Sequence, residues 1–234
     1  MLINEARWIG NALAELPLDQ ISPCLNLGSS TETFRKIQQP WIEQYVLAPG
    51  AKRGIRFIHA DLKHAAGVDV AGDIFDSEFQ RRLSSYSPRS VLCCNMFEHV
   101  TDRRRLAQAC LTLSRQNSYL IISVPKSFPY HPDPIDTYFR PSPAEIADLF
   151  PGCRVIKAAA VRDSTYWAEL SRQACRSRLA ALLKTAAHLP FPFYKFDRWK
   201  SRMHPLLWMF RHYNVSIVVL RRTAPAQALS VTET

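Results

Sequence analysis

A chain of 234 residues, 47% hydrophobic and 21% charged, is globular in composition and long enough for one well-packed domain with an elaboration. It holds no apolar run of about eighteen residues, which excludes a membrane-crossing helix, and Glu5 and Glu15 stand where a secretory signal would be basic and then apolar, so a cytoplasmic protein is expected. The net charge of +10 is local: residues 162–222 carry twelve Lys/Arg against Asp163, Glu169 and Asp197, and the remainder is close to neutral, which excludes a generally basic protein and points to one electrostatic surface.

Ala6, Ile9, Leu13 and Leu16 recur at helical spacing, predicting an amphipathic helix over 3–16 that Pro17 ends. Cys24-Leu25-Asn26-Leu27 is a short apolar strand running into the small-residue turn Gly28-Ser29-Ser30-Thr31. Residues 32–45 then form a helix interrupted at Pro40. A strand, a tight turn and a helix let backbone N–H groups approach a ligand closely. Ala48-Pro49-Gly50 reads as a turn, residues 55–60 as a second strand closing on Asp61, and residues 68–73 as a third closing on Asp73. An acid at the end of a strand in a nucleotide-binding sheet is the usual partner of ribose hydroxyls.

Phe79 to Leu83 form a short helix. Val91-Leu92-Cys93-Cys94 is an apolar run of the kind buried on both faces of a parallel sheet, and it turns polar at once in Asn95, Glu98 and His99. Those three residues therefore fall at the carboxyl end of a strand, where open α/β sheets place ligands. A helix over 102–113 and a fifth strand over 119–124 follow. Strands alternating with helices predict parallel βαβ units.

Residues 125–143 hold six of the chain's sixteen prolines, a stiff loop able to hold His131, Asp133, Asp136 and Arg140 over the strand ends. Alternatively, Asp136 and Arg140 pair with each other as a structural cover. A helix over 144–150 and a sixth strand over 154–161 continue the pattern. Six cysteines without a C-x-x-C pair, several in apolar runs, read as reduced packing residues, and no metal site is expected from them.

The succession C-L-N-L-G-S-S, H-A-D-L, V-A-G-D-I, N-M-F-E-H-V and I-I-S-V-P…H-P-D-P-I-D-T-Y-F-R-P resembles the class I S-adenosylmethionine-dependent methyltransferases, closest to the branch whose fourth strand ends in L-E-H-V. The first turn departs from the family's glycine series, with Ser30 and Glu32 in the later places. The resemblance implies a doubly wound, mostly parallel seven-stranded sheet with an antiparallel last strand over 215–220 and a helical insertion before it. It also implies S-adenosylmethionine as cofactor: Asn26, Gly28 and Ser30 at the methionine end, Asp61 with Leu62 at the ribose, Asp73 with Ile74 at the adenine, and Asn95, Glu98 and His99 lining the floor near the sulfonium. For an oxygen acceptor His131, oriented by Asp133 or Asp136, is the first candidate base because an imidazole pKa of about 6.5 suits proton removal near neutrality. His99 is the second.

On this reading residues 1–222 form one domain, 162–214 a basic and aromatic insertion, and 223–234 a disordered tail. The insertion mixes rings and cations as a segment lying peripherally on an anionic membrane does. Alternatively, its aromatics pack on the sheet. The expected acceptor is a small molecule or a glycan-like compound. The sequence also admits a non-catalytic scaffold of the same fold, and an RNA methyltransferase, although no separate RNA-binding module is legible. No feature assigns an oligomeric state.

Overall fold

The computed structural model describes residues 1–131, 135–168 and 208–223. Among these residues, seven strands make one sheet: β1 (Cys24–Leu27), β2 (Phe57–Asp61), β3 (Val70–Ala71), β4 (Ser90–Cys94), β5 (Tyr119–Ser127), β6 (Cys153–Arg162) and β7 (Asn214–Arg222). Their spatial order is β3-β2-β1-β4-β5-β7-β6, with β1 to β5 parallel and β7 antiparallel to both of its neighbours. The doubly wound, mostly parallel sheet expected from the sequence is the observed one.

Side chains alternate across a strand, so consecutive residues of the central strands feed different layers. Val91 and Cys93 of β4, with Leu120 and Ile122 of β5, pack on α2 (Ser77–Ser85) and α3 (Arg103–Leu113). Leu92, Tyr119 and Ile121 face the opposite layer, built by α1 (Ile3–Glu15) and the helical residues 40–53. Both faces are thus covered, which is why these strands read as unbroken apolar runs. Asp76 and Asp102 cap α2 and α3 through their side chains, and Ser142 with Glu145 forms a capping box on α4 (Pro143–Ala147).

Several boundaries differ from the sequence reading. Ala48-Pro49-Gly50 is not a turn but the start of the helix Ala48–Arg53, where the missing proline N–H costs nothing because first-turn donors have no intrahelical partner. The helix expected over 32–45 is split around Pro40 into two wide π turns, Phe34–Gln38 and Glu43–Leu47, flanking Pro40–Ile42. The third strand shrinks to Val70–Ala71: the Asp69 N–H still donates to the His59 carbonyl at 2.8 Å, but the His59 N–H is taken by the Asp69 carboxylate at 2.7 Å. β5 continues through Pro125, where its pairing with β7 shifts register and absorbs the missing donor.

Thr223, expected to open the tail, instead donates both its N–H and its hydroxyl to the Gly152 carbonyl. Most of the basic insertion, residues 169–207, and the tail 224–234 lie outside the described residues. Where the insertion rejoins the sheet, Trp208 and Tyr213 are buried, so these two rings pack on the domain. Among the described residues, no helix is long and apolar enough to cross a membrane.

Candidate functional site

Strand order reverses between β1 and β4, and there the carboxyl ends of β1, β2 and β4 open into a cleft of about 690 Å³. Ten of the residues named from the sequence border it: Asn26, Gly28, Ser30, Asp61, Leu62, Asp73, Ile74, Asn95, His99 and His131. Glu98 and Asp136 do not.

The turn after β1 is shaped by backbone conformation and by one guanidinium. Gly28 has φ +66°, and a Cβ there would come within 3.1 Å of the Met96 sulfur. Ser30 also takes a left-handed conformation, φ 54°. Arg35, which the sequence reading passed over, is 4% exposed and donates to the carbonyls of Ser29 (3.0 Å), Ser30 (2.6 Å) and Gly67 (2.7 Å). It ties the turn to the loop before β3, a task that extra glycines would not perform. Burial lowers its pKa from the usual guanidinium value.

Asp61 accepts the Ser30 N–H at 2.7 Å and the Lys63 N–H at 3.0 Å, so it organises the turn as well as facing the cleft. Asp73 accepts the Phe75 N–H at 2.9 Å beside Ile74, and Leu62 lies at the exposed rim. Asn26 donates to His59 Nδ1 at 3.1 Å. Burial, with help from the Arg35 charge, pushes that imidazole down to about 4.

Asn95, at φ 51°, places its amide against Glu5 Oε1 (2.8 Å), which also accepts the Ser123 hydroxyl (2.6 Å). Glu5 is fully buried, and its other oxygen accepts the Leu2 N–H. An acid of α1 therefore supports the floor of the cleft. The signal was available, since Glu5 stands four residues before Ile9 and so on the apolar face.

At the far end of the cleft three groups meet. Glu98 is fully buried with both carboxylate oxygens lacking a hydrogen-bond partner among the described residues, and burial pushes it up to about 8. Its Oε1 lies 3.7 Å from His99 Nε2 and 3.9 Å from His131 Nε2. The sequence reading set Glu98 against the cofactor, but its carboxylate lies behind the two imidazoles instead. His99 Nδ1 sits 2.5 Å from the Ile135 carbonyl and His131 Nδ1 3.2 Å from that of Pro129. A carbonyl only accepts, so each Nδ1 carries a hydrogen, and in a neutral ring Nε2 then holds the lone pair.

Burial also lowers the His131 pKa, which keeps that lone pair free near neutrality. Asp136 pairs with Arg140 through both nitrogens (3.0 and 2.6 Å) and accepts the N–H groups of His131 (3.1 Å) and Tyr138 (2.9 Å). These donors hold its carboxyl below the usual range in spite of burial. The Asp136–Arg140 pair therefore exists, and Asp136 fixes the backbone of His131 while its Oδ2 also lies 3.3 Å from His131 Nδ1. Asp133 lies outside the described residues.

No family model matches the sequence, and no curated protein matches it. Solved structures do. A protein assigned as a sarcosine dimethylglycine methyltransferase from Galdieria sulphuraria superposes with a TM-score of 0.52 at 12% identity, over 94% of this chain and 84% of that one. A coclaurine N-methyltransferase bound to N-methylheliamine and S-adenosylhomocysteine gives 0.51 at 13% identity, over 93% and 70%. With the strand order and the antiparallel β7, the chain has the methyltransferase fold that its sequence motifs resemble.

Proposed function

We propose that this cleft binds S-adenosylmethionine and that the protein transfers its methyl group to an oxygen of a small-molecule or glycan-like acceptor. The observation that carries this reading is the convergence of ten separately named residues on one cleft, with an imidazole lone pair at its end. The residues suit the cofactor. Asp61 keeps lone pairs beyond those given to Ser30 and Lys63, as a ribose diol requires, and Ile74 and Phe79 supply apolar wall for a purine.

The bound cofactor would supply a methyl group on a positively charged sulfur. The chain's part is to hold the acceptor in line and to take its proton. His131 Nε2 takes that proton, while Asp136 and Arg140 keep the loop still. One neighbour is named an N-methyltransferase, whereas the oxygen reading for this chain rests on a half-buried imidazole whose pKa burial lowers.

Calorimetric titration with S-adenosylhomocysteine tests the reading. Binding by the unmodified protein, weakened in Asp61→Ala, is expected. No heat at millimolar ligand would leave the scaffold function instead, and a salt-dependent shift of RNA would favour the nucleic-acid one. The basic insertion, residues 162–214, is proposed to meet an anionic membrane. Sedimentation with anionic liposomes, lost on changing Arg198, Lys200 and Arg202 together to Glu, checks that proposal.

A further inference from the structure

We infer that Glu98, His99 and His131 form a binding site for one divalent first-row metal ion, open toward the cleft. One ligand atom from each of the three side chains lies within 4.8 Å of the other two, a spacing that a metal would draw together by modest side-chain movement. Two imidazoles and one carboxylate are a donor set for zinc, iron, cobalt or manganese, and three protein ligands leave positions for water or a substrate oxygen.

Three further features suit a metal better than a hydrogen-bonded triad. Both Nδ1 atoms are held by backbone carbonyls, the outer support that orients a ligating histidine and aims its Nε2 lone pair inward. Neither Nε2 reaches the carboxylate at hydrogen-bond distance, since the gaps are 3.7 and 3.9 Å. Glu98 is fully buried, yet both its oxygens lack partners among the described residues, a costly state that a cation would relieve. The two histidines border the cleft and Glu98 lies behind them, so the open side of an ion would face whatever occupies the cleft.

The site's use rests on the methyl-transfer reading. An acceptor hydroxyl bound to the ion would lose its proton to solvent water as the metal–oxygen bond forms, leaving a metal-bound alkoxide at neutral pH. With the ion in place His131 acts through it, and its role as a free base belongs to the metal-free protein.

The experiment is a calorimetric titration of chelator-treated full-length protein with Zn²⁺, repeated with Co²⁺ so that the visible absorption reports coordination. One equivalent is expected, with affinity falling at least about tenfold in Glu98→Gln, His99→Ala and His131→Ala. Should Glu98→Gln fail to fold, the histidine variants alone supply the comparison, each checked by its melting temperature. Less than stoichiometric binding, or equal affinity in the folded histidine variants, overturns the inference. S-adenosylhomocysteine affinity is measured on the same samples. If the unmodified protein binds S-adenosylhomocysteine but not the metal, this site alone is refuted, and if it binds the metal but not S-adenosylhomocysteine, the methyl-transfer reading alone is refuted.

Discussion

Replacing Arg35 by Met keeps an apolar stem in place and removes three hydrogen bonds, to the carbonyls of Ser29, Ser30 and Gly67. Bonds from a charged donor contribute about 1.5–3 kcal/mol each, so simple addition would give roughly 5–9 kcal/mol. Two corrections reduce that sum. The variant no longer buries a guanidinium, and the Ser30 and Gly67 carbonyls are only partly buried, so water can reach them. A net loss of about 2–4 kcal/mol follows, which for a chain of this size lowers Tm by roughly 5–15 °C. Differential scanning calorimetry measures it, and the affinity for S-adenosylhomocysteine should fall with it because the turn frames the cleft. Arg35→Lys should lose an intermediate amount, since an ammonium cannot fork to three carbonyls. A Met variant melting within about 1 °C of the parent would show that Arg35 does not hold the turn.

Asp61→Ala should weaken S-adenosylhomocysteine binding about tenfold to a hundredfold by calorimetry, and unchanged affinity would remove Asp61 from the ribose. His131→Ala should lower turnover on the true acceptor about a hundredfold to ten-thousandfold while cofactor affinity holds, and undiminished turnover would eliminate it from the chemistry. His59 stays neutral in the folded protein down to about pH 4, whereas in the unfolded chain it takes up its proton near pH 6.5. Its contribution is therefore intact above about 6.5 and is lost as pH falls toward 4, by up to about 3 kcal/mol. Urea unfolding from pH 7 to 4.5 should show a shallower decline in His59→Gln than in the parent, and parallel declines would refute the assignment.

The parallel core was legible because strands covered on both faces must be apolar, as Val91–Cys94 and Leu120–Ile122 are. The acids at strand ends were legible for a related reason, since polarity returns where the strand leaves the core. What stayed hidden depends on contacts between distant segments. Arg35 reads as one cation among many on a polar helix until the fold brings the Gly67 loop against it. Glu98 and His99 are adjacent in sequence. His131 joins them because β4 and β5 pair in parallel, Cys94 beside Ser123, and so deliver their following loops to one place. Pro49 misled for a local reason: the signal that breaks a helix also starts one.

The position of β7 bears on how the protein is made. Ile217, Val218, Val219 and Leu220 are fully buried, and the strand that carries them lies between β5 and β6, although it is the last of the seven to leave the ribosome. Until then β5 presents an apolar edge with unpaired backbone donors and acceptors, and β6 has no partner. A nascent chain in that state is a template for β-pairing with other chains. A ribosome that stops short of Asn214 therefore releases something other than a slightly smaller protein. It releases one whose sheet is open between β5 and β6, with an apolar edge free to pair with other chains.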